Sequence, residues 1–110
     1  MSTPADVRKI ALALHGVTEV DHWGRPAFRT KKRIFAVIRP DGLHLCLPLE
    51  RKEFLFEAAP ATFVRFMWGK TPQLLVRLKR AGRAELQGLL REAWEYCAPP
   101  PKTRAASRRG

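Results

Sequence analysis

Four cations fall within five consecutive positions, Arg29, Lys31, Lys32 and Arg33. Like charges this close repel one another unless a counter-charge stands nearby, and a phosphate backbone supplies a continuous one. Arg25 and Arg39 flank the run, and a second basic group, Lys70, Arg77, Lys79 and Arg80, follows later in the chain. Trp23 precedes Arg25 and Trp68 precedes Lys70, so each group has an aromatic plane beside a cation, a pairing that suits unstacked bases. The same residues have plainer uses: tryptophans plug the ends of sheets, and lysines keep an edge hairpin from pairing with another chain.

The residue types that break bonds are poorly placed by comparison. His22 follows Asp21, and His44 stands at i, i+2 with Cys46 on one predicted strand face, but two ligands without a third make no zinc site. Cys46 and Cys97 are far apart, belong to no Cys-x-x-Cys pair, and read as small buried apolar residues. Glu50, Glu53 and Glu57 interleave with Arg51 and Lys52, which makes a solvated helix face rather than a cation site. There is no glycine-rich phosphate loop, no His-Glu-x-x-His and no Gly-x-Ser-x-Gly, and the two serines, Ser2 and Ser107, lie near the ends. No catalytic residue, metal ligand or cofactor is assigned. Polar base readers are scarce too, with no asparagine and only Gln73 and Gln87, so contact with phosphates is expected over sequence readout.

The charge supports that direction. The chain carries 21 Lys plus Arg against 10 Asp plus Glu, a formal +11, and without Lys102, Arg104, Arg108 and Arg109 the remainder still carries +7. Such an excess attracts polyanions but says nothing about fold. At 110 residues and 45% hydrophobic content the chain has the length of one domain and enough apolar mass for one core. A single domain over residues 1–98 is expected, followed by a flexible basic tail over 99–110 that opens on Pro99, Pro100 and Pro101. The N-terminal residues lack a basic segment followed by an apolar one, and no apolar run is long enough to cross a bilayer. A monomeric cytoplasmic protein of bacterial type, with no membrane partner, is the expectation.

The elements that would position the cations follow from periodicity and punctuation. Thr3 can cap a helix over roughly residues 4 to 14, with Pro4 and Asp6 in its first turn and Val7, Ile10, Ala11 and Leu14 at helical spacing. Val17 to Arg29 is a β-prone stretch broken by Gly24 and Pro26, read as one strand, with Pro26 at an edge or a strand start. Residues 33–39 are too continuously apolar for one alternating face and read as a central strand. Pro40-Asp41-Gly42 is a turn, and Leu43, Leu45 and Leu47 alternate after it, completing a three-stranded meander. A second helix covers 49–59, with Phe54, Leu55 and Ala58 facing inward, and Pro60 stops it. Residues 63–66 and 74–78 read as two further strands joined by a loop that carries Trp68. Leu86, Leu89, Leu90, Ala93, Trp94 and Cys97 have the clearest helical period in the chain. The fold class is α+β, two-layer, with an antiparallel sheet of about five strands and three helices in the order α-β-β-β-α-β-β-α.

Several segments together resemble the MmcQ/YjbR family: Ala11-Leu12-Ala13-Leu14-His15-Gly16-Val17-Thr18-Glu19, His22-Trp23-Gly24-Arg25-Pro26-Ala27-Phe28-Arg29 and Lys32-Arg33-Ile34-Phe35-Ala36. The likeness continues through Leu45-Cys46-Leu47-Pro48, Trp68-Gly69-Lys70, Val76-Arg77-Leu78, Glu85-Leu86, Leu89-Leu90 and Ala93-Trp94, over roughly residues 5 to 98. The Trp-Gly-Arg-Pro-Ala-Phe segment is its most specific part. Where the family usually has proline in the first helix-to-strand turn, this chain has His15. The resemblance implies a compact α+β domain that binds DNA through a double-wing arrangement of hairpins.

The expected function is therefore DNA binding, with Arg25, Arg29, Lys31, Lys32, Arg33 and Arg39 on one basic wing and Trp68, Lys70, Arg77, Lys79 and Arg80 on the other. The alternative is a protein-interaction or chaperone-like module that uses an open sheet face or edge. A third reading, an enzyme built on the His22-Trp23-Arg25 loop, predicts a deep pocket there.

Overall fold

The computed structural model describes residues 1–98; the predicted tail over 99–110 lies outside the described residues. The elements are α1 (Pro4–Leu12), β1 (Thr18–His22), β2 (Arg25–Arg29), β3 (Ile34–Arg39), β4 (Gly42–Leu45), α2 (Leu49–Ala58), β5 (Phe63–Trp68), β6 (Thr71–Val76), a 3-10 turn (Leu78–Arg80) and α3 (Arg83–Cys97). The strands form one antiparallel sheet in the order β1-β2-β3-β4-β6-β5.

The sheet has six strands rather than about five, because the stretch from Val17 to Arg29 folds back on itself. His22 pairs with Arg25, leaving only Trp23 and Gly24 in the turn. Both have positive φ, 56° and 80°, the requirement of a type I′ turn whose twist matches that of the flanking strands. A bulky residue rarely adopts such a φ. Here the Asp21 carboxylate supports the turn by accepting the Gly24 N–H at 3.2 Å. The second correction is similar: Trp68 is not in a loop but is the last residue of β5, paired with Thr71 across the two-residue turn Gly69-Lys70. Pro72 is tolerated in β6 because β4 ends opposite Leu74, so its missing donor costs no β4 pairing. The strand predicted to reach Leu78 stops at Val76, and Lys79 and Arg80 sit in the 3-10 turn.

Helix α1 begins with the expected cap: the Thr3 side chain accepts the Asp6 N–H, and the Asp6 carboxylate accepts the Thr3 N–H. Leu86, Leu89, Leu90, Ala93 and Cys97 of α3 are buried, as their spacing predicts. In α2 the inward face is Lys52, Leu55 and Phe56, at i, i+3 and i+4, and not the expected Phe54 and Ala58. Phe54 is 60% exposed, with the Arg51 guanidinium over its ring at 5.4 Å. Lys52 is buried along its stem, and its ammonium donates to the Pro72 carbonyl at 2.7 Å.

The helices lie on one side of the sheet. Arg65 of β5 meets Glu53 at 3.4 Å and stacks on Phe56, which puts α2 over the face that carries Phe63, Leu74, Leu45, Ala36 and Phe28. Helices α2 and α3 are tied by Arg51 and Glu92 at 2.8 Å. Helix α3 packs on α1 and β3 over the same core. The opposite face, with Val20, Ala27, Val37, His44, Leu75 and Val64 in one cross-strand row, has no helix over it among the described residues.

Candidate nucleic-acid interface

Strand direction decides where the predicted cations go. β2 begins at Arg25 and ends at Arg29, so these two residues lie at opposite ends of the sheet although both are on one strand. The same holds for the β2–β3 turn and for Arg39, the last residue of β3. Following the antiparallel pairing through β4 and β6 brings the Gly69-Lys70 turn to the end occupied by residues 30–33. Arg29, Lys31, Lys32, Arg33 and Lys70 thus share one end, which we call the basic end. Arg25, Arg39, Arg77, Lys79 and Arg80 share the other. The two predicted wings are thus divided differently from the sequence grouping, each contributing to both ends.

At the basic end the two hairpin turns stand three strand spacings apart, about 14 Å at the usual separation of neighbouring strands. The β2–β3 turn is held rigidly from below. Thr30 is buried, and its hydroxyl donates to the Cys97 carbonyl at the end of α3, 2.9 Å away, while accepting the N–H groups of Lys32 and Arg33 at 3.1 and 3.2 Å. Arg29 donates to the carbonyls of Thr30 and Lys31 at 3.1 and 3.4 Å. Arg33 lies over the Tyr96 ring at 4.9 Å. Lys31, Lys32, Arg33 and Lys70 remain exposed.

Ion pairing sorts the cations into two sets. Arg8, Arg39, Arg51, Arg65, Arg83 and Arg91 each meet a carboxylate within 4.0 Å. Of the ten cations singled out in the sequence only Arg39 is in that set; among the described residues the other nine have no acidic partner. The turns of the basic end, residues 30–33 and 69–70, contain no acid, whereas those opposite are flanked or occupied by Asp21 and Asp41.

On the helix-free face, His44 and Trp68 join a cluster that sequence spacing did not reveal. His44 hydrogen-bonds Gln73 at 2.9 Å, packs edge-on to Phe66 with ring centroids 5.1 Å apart, and lies 6.0 Å from the Trp68 ring. Burial holds the imidazole below its ordinary pKa, with the Arg39 and Lys52 charges adding to the effect against the Gln73 hydrogen bond, so the ring is neutral at pH 7. Arg39 extends over Phe66 at 4.5 Å and meets Asp41 at 3.2 Å. Trp68 is 62% exposed.

His44 and Cys46 do not share a site. Cys46 follows the end of β4, and its thiol interacts with that of Cys97 of α3, so two cysteines far apart in sequence meet in space. The Cys97 neighbour, helped by the charges of Arg33 and Lys52 and opposed by burial, holds Cys46 below the ordinary thiol value, and the same neighbour together with burial pushes Cys97 up. Alkylation of Cys46 by iodoacetamide, followed by mass spectrometry, is expected to rise through a midpoint below the ordinary thiol value. In Cys97→Ala that midpoint moves up towards the ordinary thiol value of about 8.5. A midpoint unmoved by the substitution would contradict the pairing.

Beside the His22-Trp23-Arg25 loop, among the described residues, lies an open depression of about 340 Å³ lined by Glu19, Val20, Asp21, Gly24 and Pro26. Trp23 is 89% exposed, with His22 edge-on to it at 6.4 Å. Among the described residues no three His, Cys, Asp or Glu side chains are placed to hold a metal ion, and no helix is long and apolar enough to cross a membrane.

A family model described as YjbR matches residues 12–96, most of the chain. No curated protein and no solved structure matches it.

Proposed function

The chain belongs to the YjbR family, and from that premise we propose that it binds DNA through the phosphates, with the two hairpin turns of the basic end as its principal contacts. What carries the reading is the sorting of charge together with placement: arginines around the helices are neutralised by acids of the same fold, while nine predicted cations have no acidic partner among the described residues, and five of these gather at the basic end, whose turns contain no acid. Unneutralised cations on short, well-anchored turns give up little conformational freedom when they meet a polyanion. They also release the counterions condensed on it. Such contacts fix position and carry no sequence information, so binding to duplexes of unrelated sequence is expected to be alike.

Fluorescence anisotropy of a labelled duplex, titrated at a series of salt concentrations, tests this. Five phosphate contacts at the basic end predict that log affinity falls with log salt with a slope of about −4.5. Binding that is no tighter than micromolar and indifferent to salt would remove the proposal.

A further inference from the structure

The helix-free face of the sheet sets an aromatic cluster beside the unpaired cations of the basic end, an arrangement that phosphate contact at the turns alone leaves unused. Strand alternation puts Phe66 and Trp68 of β5 on this face together with His44 and Gln73. The cluster is ordered from beneath: His44 is wedged against Phe66, held by Gln73, and Arg39 caps the Phe66 ring. Trp68 is the member left open, 62% exposed at the margin nearest the basic end. A large indole on a strand, with a supporting ring behind it and no partner in front among the described residues, offers a flat π surface at little entropic cost.

A duplex cannot use such a surface, because its bases are stacked on one another inside the helix. An unpaired strand can, since each splayed base has a free face. Charge selects the same occupant. A strand laid on Trp68 has the unpaired cations of Lys70 and the 29–33 turn at the same end of the sheet. We propose that this face is a binding platform for single-stranded nucleic acid, with an unpaired base stacked on Trp68 and the flanking phosphates held from the basic end. Gln73, whose amide nitrogen has no partner among the described residues, stands beside the stacked base as a hydrogen-bond donor. The proposal rests on the phosphate-binding reading above and names the form of nucleic acid that the same end of the molecule prefers.

The test compares a labelled twelve-nucleotide oligothymidylate with a twelve-base-pair duplex at equal salt by fluorescence anisotropy. The single strand is expected to bind more tightly. Trp68→Ala should weaken it about tenfold and the duplex far less, as one lost base–aromatic stack implies. Trp68→Phe, which keeps a ring, should retain most of the affinity. Because Trp68 is exposed, thermal unfolding of both variants should match the parent protein, separating lost stacking from lost folding. If Trp68→Ala leaves single-strand affinity intact, or weakens strand and duplex equally, the platform is overturned and the phosphate-binding reading stands. If neither form binds, both fall.

Discussion

Replacing Lys31, Lys32 and Arg33 together by alanine is expected to lower affinity for duplex DNA about 500-fold at 0.1 M monovalent salt. The figure follows from counterion release, in which each phosphate contact contributes about 0.9 to the slope of log affinity against log salt, hence about 0.9 log units at this concentration. Three contacts removed together give about 2.7 log units, and the slope itself should become shallower by the same amount. The folded state should tolerate the change, because all three side chains are exposed and the turn is shaped by Thr30 and the backbone. The control is Arg51→Ala, which removes one cation but leaves Glu92 without its partner on the helix side of the molecule. It should change affinity little. A loss below about threefold in the triple variant, with the circular dichroism spectrum intact, would show that the basic end does not meet the duplex.

The largest effect on stability is expected from Gly42→Ala, which should cost about 3 kcal/mol in denaturant unfolding. Gly42 opens β4 with a φ of +150°, and a Cβ there would lie 2.4 Å from the Val76 carbonyl oxygen and 3.1 Å from the Leu75 side chain. The oxygen belongs to the backbone of β6, so it cannot move without loosening the pairing of Leu43 with Val76. Gly24→Ala and Gly69→Ala make the contrast. Each has positive φ but nothing near its missing Cβ, so each should cost only about 1 kcal/mol. Similar losses in all three variants would mean that backbone strain, not the approach of β6, is what Gly42 relieves.

The sequence made some of this architecture legible and hid the rest for definite reasons. Helix α3 is readable because its buried residues keep a helical period over about three turns, and the α1 cap is readable because Thr3 and Asp6 stand three apart. The β1–β2 hairpin was not, since Trp-Gly lacks the Asn or Asp that usually announces a type I′ turn, and it relies on the Asp21 carboxylate instead. The inward face of α2 is not legible in the sequence because Phe54 looks like a core residue; an arginine one turn back covers it at the surface, and Phe56 takes its place inside. The basic residues were identified by type, but their grouping was not. In an antiparallel sheet the two ends of one strand are as far apart as the sheet is tall, so neighbours in sequence such as Arg25 and Arg29 separate while Lys32 and Lys70 come to the same end. The meeting of Cys46 with Cys97, and of His44 with Gln73, depends on contacts between distant segments that carry no local signature.

The order of strands also bears on how the chain assembles. Every adjacent pair in the sheet is joined by a tight reversal, except β4 with β6, which joins residues 29 to 33 positions apart around α2 and β5. The tight reversals close on their own within microseconds, whereas this seam must overcome the entropy of a much longer loop. Strand order therefore leads one to expect that the four-stranded meander and the two-stranded hairpin form locally, and that the pairing of Leu43, His44 and Leu45 with their β6 partners comes later and joins them.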